Sequence, residues 1–177
     1  MDDALTVRAT HPDDHAPVLE LVRAAFSDAT RDGQEEVTIV EATWRLGSTV
    51  RPIDLVAVEA GEVVGHVLGA TGDLGGREVM AVAPLAVAPA HHGRGVGTAL
   101  MHELLATAER GSWPMVLLLG DPAYYGRFGF EAASRYGIVY PPVGADSPHF
   151  LIRTLRSVDE SCRGSFRYCW EPISPED

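Results

Sequence analysis

The stretch Leu85-Ala-Val-Ala-Pro-Ala-His-His-Gly-Arg-Gly-Val-Gly-Thr-Ala-Leu100 decides how this chain is read. An apolar run with strand character, Val79 to Val87, breaks at Pro89, and Gly93, Gly95 and Gly97 then lead directly into an amphipathic helix. Val96, Leu100, Leu104 and Ala108 recur every fourth residue and line one face of that helix. Strand, glycine loop and helix N-terminus in this order make an anion site. Glycine lets the main chain approach closely, and the first-turn N–H groups have no partner within the helix. A diphosphate placed there is held by main-chain donors and the positive end of the helix dipole, each hydrogen bond to the charge contributing roughly 1.5–3 kcal/mol.

Three glycine loops compete for this position. A dinucleotide fingerprint starting at Gly93 needs glycine where Thr98 stands, and the strands before the loop read as antiparallel rather than βαβ. A Walker loop needs lysine before Ser/Thr, but Gly97 precedes Thr98. The order polar residue, two residues, Gly, one residue, Gly fits as His92-Gly-Arg-Gly95-Val-Gly97. It resembles the pyrophosphate loop of the GNAT superfamily of acyl-CoA-dependent N-acetyltransferases. The first position in that family is usually Gln or Arg, so His92 is a departure that leaves the backbone donors intact.

Composition narrows the field. A chain of 177 residues is most simply one domain, expected over 1–170 with a loose tail at 171–177 that carries Pro172 and Pro175. No apolar run approaches the roughly 20 residues of a membrane span, and Met1-Asp2-Asp3 lacks a signal-peptide layout, so a soluble cytoplasmic protein is expected. Two cysteines, Cys162 and Cys169, read as free thiols. A net charge of −11 argues against nucleic acid and mildly favours a cationic partner such as a protonated amine.

Leu5 to Ala9 reads as a first strand, and Thr10-His-Pro-Asp13 as a helix start capped by Thr10, with Val18, Val22, Ala25 and Phe26 inward. A second helix from Gln34 to Leu46 puts Val37, Val40 and Trp44 on one side and stops at Gly47. Leu55 to Glu59 and Glu62 to Leu68 form a hairpin about Ala60-Gly61. Thr71 to Arg77, with three glycines and no period, reads as a loop into the central strand. Pro84 inside that strand signals an edge, a bulge or a local parting, because proline cannot donate to a ladder. Met115 to Leu119 is a buried strand, Asp121 caps the short helix that follows, and Phe150 to Leu155 and Phe166 to Trp170 read as two final strands paired with each other.

This order matches the GNAT layout over nearly the whole chain. The resemblance implies an α+β (α/β/α) fold: a mixed, mostly antiparallel twisted sheet of about six or seven strands flanked by about four helices. In the family the central strand parts from its neighbour to admit the pantetheine arm, and Pro84 sits where that parting falls. A second segment, Gly120-Asp-Pro-Ala-Tyr-Tyr-Gly-Arg-Phe-Gly-Phe130, resembles the acceptor side of a bacterial subgroup known mostly as predicted acetyltransferases. There a Tyr four residues before a Gly-Phe pair lies close to the thioester sulfur. Tyr125 holds that spacing, while Tyr124 reads as packing and Phe128 and Phe130 as core.

The resemblance implies acetyl-CoA as cosubstrate, a small-molecule or peptide amine as acceptor, and direct attack in a ternary complex; it allows a homodimer. Main-chain groups of Leu85, Ala86 and Val87 would pair with the pantetheine amides, and His92, Gly93, Arg94, Gly95, Val96, Gly97 and Thr98 would hold the pyrophosphate. Arg94 adds a charge-assisted contact or stays solvated. Tyr125 would assist the leaving thiolate. Relatives often place a carboxylate base on the central strand, but Val79 to Val87 has none, which leaves Glu36, Glu41, Asp73, His66 and His149 as candidates. The missing carboxylate and His92 also sustain a rival reading, a non-catalytic acyl-CoA-binding or sensing module. His102-Glu103 begins a zinc motif without its second histidine, and His91-His92 lacks a third ligand, so no metal is expected.

Overall fold

A computed structural model of the chain describes residues 4–47, 52–157 and 162–171. In chain order the elements are β1 (Thr6–Ala9), α1 (His15–Phe26), α2 (Gln34–Leu46), β2 (Ile53–Glu59), β3 (Glu62–Leu74), β4 (Arg77–Val87), α3 (Val96–Arg110), β5 (Met115–Leu119), α4 (Pro122–Tyr125), β6 (Glu131–Ala132), β7 (Ile138–Val139), β8 (Phe150–Thr154) and β9 (Gly164–Tyr168). The sheet runs β1-β2-β3-β4-β5-β8-β6, with β9 on β3 and β7 on β9. Pairing is antiparallel except for β4 with β5 and β7 with β9. The expected α+β class and mixed, mostly antiparallel sheet are borne out.

Helices cover both faces. Val96, Leu100, Leu104 and Ala108, the predicted stripe of α3, are all buried against β2, β3 and β4. On the opposite face Val18 and Val22 of α1 and Val37 and Val40 of α2 enclose Val56, Leu68 and Ala86. A third cluster, rich in aromatic rings, joins β5, β8 and β9. The bounds of α2 fall where its apolar period begins and ends, with Gly47 at its C-cap.

Three local expectations are corrected. Thr71 to Arg77 is not a loop: β3 continues to Leu74, and a two-residue turn of Gly75 and Gly76, both at positive φ, leads into β4. Gly72 stays inside the strand because a Cβ there would lie 2.4 Å from the Phe166 ring of β9. Thr10 does not cap the first helix. His11 takes that position over a 3-10 turn, Asp14 accepts its N–H at 2.8 Å, and the Thr10 hydroxyl donates instead to Asp54 across the β1–β2 pair. The two last strands do not pair with each other; β8 lies between β5 and β6, whereas β9 takes over the edge of β3 beyond the end of β2. Of the expected tail, Glu171 is held, its carboxylate accepting from the Tyr140 hydroxyl and the Tyr168 N–H. Residues 172–177 lie outside the described residues.

Candidate active site

Pro84 marks the point where the sheet opens. Parallel pairing of β4 with β5 covers Met80 to Val82 and stops. On the other side Ala83 and Pro84 together oppose the single residue Leu68, a bulge in the β3–β4 ladder. Among the described residues no strand therefore lies against the edge of β4 turned away from β3 from Ala83 to Val87, and two clefts meet there.

The first cleft, about 440 Å³, lies over the N-terminus of α3. Gly95 is the residue before the helix and is left-handed at φ 84°. The N–H groups of Gly93, Gly95, Val96, Gly97 and Thr98 have no acceptor among the described residues. Gly97 admits no side chain without movement, since a Cβ would stand 2.6 Å from the Tyr124 hydroxyl. A cradle of free donors at a helix start, kept clear of side chains, is what a diphosphate requires. The site suits an anion of that size.

Eight of the ten residues expected to hold the cosubstrate line this cleft: Leu85, Val87, His92, Gly93, Gly95, Val96, Gly97 and Thr98. Ala86 points its side chain to the opposite layer, against α1 and α2, and its main chain pairs with His66 of β3. Arg94 is neither free nor turned to the cleft. Its guanidinium donates to Glu59 at 3.0 Å, and the other oxygen of the same carboxylate meets His91 at 3.2 Å. His92 folds back onto the Val87 carbonyl at 3.0 Å. Glu59, which was not anticipated, thus ties the loop to the β2–β3 turn.

The second cleft, about 980 Å³, runs between α2, the opened edge of β4, and the end of β5. It shares Phe26 and Leu85 with the first. Two adjacent tyrosines divide the pair. Tyr124 lines the first cleft with Thr98, its phenol over Gly97, and Tyr125 lines the second. Their rings stand edge to face, centroids 4.9 Å apart. Successive residues of a helix project about 100° apart, so a tyrosine pair on one turn faces two directions; that signal was available in the sequence. Tyr124 packs against the α3 core cluster, as expected, and also borders the first cleft.

Tyr125 packs its ring on Gly120, where a Cβ would be 2.3 Å from the ring. Its hydroxyl has no hydrogen-bond partner among the described residues, and it is not one of the atoms sealed from solvent without a partner, His66 Nδ1 and His91 Nδ1. It is therefore a free donor opening to the cleft. Burial, and then the neighbouring Tyr124, push its pKa well above the ordinary phenol value, so it stays protonated at neutral pH. Asp121 caps α4 as expected, accepting from the Ala123 N–H at 2.8 Å.

Among the five candidate bases, Glu36 alone lines the second cleft. His66 is fully buried in the α1/α2 layer and paired with Asp54 at 2.8 Å. Glu41 faces a separate groove beside Trp44, and Asp73 is taken up by the Gly76 N–H at the β3–β4 turn. His149 leans on the Gly120 carbonyl from the exposed side. Glu35, Tyr140, Tyr168, Trp170 and Glu171 join the cleft wall unannounced by the sequence. Among the described residues no His/Cys/Asp/Glu group is arranged to hold a metal ion, and no helix is long and apolar enough to cross a membrane.

Residues 53–132 match the family model described as an acetyltransferase (GNAT) domain. The chain is 36% identical over 115 residues, 63% of its length and 67% of the relative's, to the uncharacterized N-acetyltransferase YhbS of Escherichia coli (strain K12). It is 27% identical to a second protein of that strain, the uncharacterized N-acetyltransferase YjhQ, over 94% of this chain and 93% of the other. Among solved structures it superposes on a GNAT family acetyltransferase from Brucella melitensis in complex with acetyl-CoA, with a TM-score of 0.78, 28% identity and coverage of 94% and 96% of the two chains. YhbS from Escherichia coli in complex with CoA gives a TM-score of 0.78 at 27% identity, covering 95% of this chain and 92% of the other. With the opened β4 edge, the glycine loop before α3 and these relatives taken together, the chain belongs to the GNAT superfamily of N-acetyltransferases.

Proposed function

We propose that the chain transfers an acetyl group from acetyl-CoA to the nitrogen of an amine, the two substrates meeting where the clefts join at Leu85. The observation that carries this reading is the pairing of free main-chain donors at the α3 N-terminus with the unpartnered Tyr125 hydroxyl, one on each side of the opened β4 edge. The solved relatives that hold acetyl-CoA or CoA support it.

The loop from His92 to Thr98 takes the diphosphate, and the bare edge of β4 from Leu85 to Val87 takes the pantetheine amides as a strand would. The acetyl thioester then lies beside Tyr125. An amine with pKa near 10.4 arrives protonated and must lose that proton before its nitrogen attacks the carbonyl carbon. Glu36 is the acceptor for it, directly or through a water. The N–C bond forms as the C–S bond breaks, the nitrogen gives up its second proton to solvent, and the sulfur leaves as a thiolate.

An ordinary phenol is about 1.5 pKa units less acidic than a thiol, so complete proton transfer from tyrosine is uphill by roughly 2 kcal/mol. Burial makes Tyr125 a still weaker acid. Its part is therefore to donate a hydrogen bond to the developing thiolate, with protonation from solvent afterwards. The test is release of free thiol from acetyl-CoA in the presence of polyamines, aminoglycosides, arylalkylamines and peptide N-termini. All of the chain's 14 basic residues are arginine, so acetylation of its own lysines adds no background. A protein that only binds acyl-CoA would raise release above hydrolysis with none of them.

A further inference from the structure

The wall of the acceptor-side cleft narrows which amines enter it. Four carboxylates border the space: Glu35 and Glu36 from the first turn of α2, Asp121 before α4, and Glu171 after β9. No arginine or histidine lines it among the described residues. Asp121 is engaged as a cap, Glu171 by Tyr140 and Tyr168, and Glu36 stands 3.9 Å from Arg31, which also serves Asp28. Glu35 has no cation or donor against it among the described residues, yet it is close enough to Tyr140 to oppose loss of that phenol's proton.

The remaining wall is aromatic and aliphatic. Tyr168 and Trp170 stack at 4.4 Å, and Tyr140 meets Tyr168 edge to face at 5.3 Å. Leu119, half-exposed, continues the apolar surface toward Tyr125. Ring faces and carboxylates both attract ammonium groups, and the rings also accept apolar bodies. A carboxylate brought here would meet like charge on several sides with no cation in the described wall to receive it, since the neighbouring Arg31 is shared by Glu36 and Asp28.

Resting on the transferase reading above, we propose that the acceptor is a primary amine with an apolar body and no carboxylate, and that the acidic, aromatic wall of this cleft rejects free amino acids. The aromatic rings carry the body, and Glu35 sets the charge preference at the mouth.

Matched triplets test this, each an amine, the corresponding amino-acid amide and the amino acid: tryptamine, tryptophanamide and tryptophan, then phenethylamine, phenylalaninamide and phenylalanine. The amide keeps the bulk of the third group without its charge. With like charges about 6 Å apart at an effective dielectric of 20–40, kcat/KM for the amine and the amide should exceed that for the acid by about ten- to hundredfold. Glu35→Gln should shrink this ratio severalfold and Glu35→Arg further, with KM for acetyl-CoA unmoved. Equal use of acid and amine, or an amide rejected as strongly as the acid, overturns the proposal while leaving the transferase intact. Release with no member of any set, or of the wider amine panel, overturns both.

Discussion

Replacing Tyr125 by phenylalanine separates chemistry from folding unusually well at this site. The hydroxyl makes no hydrogen bond among the described residues, so its removal takes no interaction from the folded state; the ring keeps its seat on Gly120 and its edge contacts with Tyr124 and Phe130. The melting temperature should stay within about 1–2 °C of the parent, because a lost group without a partner carries no more than a few tenths of a kcal/mol. What disappears is a donor aimed at a developing thiolate, and a hydrogen bond to a charged group contributes about 1.5–3 kcal/mol. At 1.36 kcal/mol per decade that is a fall in kcat of about ten- to 150-fold, with KM for acetyl-CoA unchanged. Thiol release at saturating acetyl-CoA and amine reads kcat, and thermal denaturation reads the fold. Tyr124→Phe is the contrast: it removes a hydroxyl that lies over Gly97 in the first cleft and should raise KM for acetyl-CoA with kcat little changed. Parental kcat in Tyr125→Phe, or a loss matched by a large drop in melting temperature, would refute the assignment.

Gly95→Glu places a side chain at a left-handed φ of 84° and a negative charge at the helix start; acetyl-CoA binding by calorimetry should vanish, and retained affinity would remove the loop from the site. The activity profile offers a pH test. Because Tyr125 ionises only above the ordinary phenol value, kcat should show no alkaline decline from it below about pH 10, and a limb near pH 8 that disappears in Tyr125→Phe would contradict its protonated role. Asp14 bears on stability instead. Hydrogen bonds from Arg8 hold its carboxyl at about 2, below the ordinary 3.8, so its contribution is complete above pH 4 and fades as pH falls toward 2. Asp14→Asn should cost about 1–2 kcal/mol at pH 7 by urea unfolding, and less at pH 3; an equal cost at both would exclude this pair as the cause.

What could be read in the chain beforehand depended on how far apart the responsible residues lie. The α3 stripe and the bounds of α2 follow from periods of three and four residues, and the glycine loop is contiguous. Gly72 was misread because its reason is Phe166, a ring from the far end of the chain that no local pattern announces. The partners of β8 and β9 were likewise beyond reach, since pairing is chosen by the packing of whole layers and not by the alternation within each strand. The anion cradle was legible almost in full; only Ala86, which faces away, and Arg94, drawn off by Glu59, departed from it. Of the second cleft, proposed here as the acceptor side, the sequence pointed in advance chiefly to Tyr125. Its walls come from α2, β4, β5 and the residues around β9, brought together by the fold alone.

The early end of the β4–β5 ladder after Val82 also ties robustness to activity in opposite senses. An open seam in the middle of a sheet forgoes main-chain bonds that the protein would otherwise make, and on the function proposed above acetyl-CoA would complete them transiently in place of a strand. Selection for heat resistance that zipped this seam shut would therefore yield a sturdier and inert protein. Gains in durability compatible with turnover must come from elsewhere, from the helix faces and the aromatic cluster beneath β9.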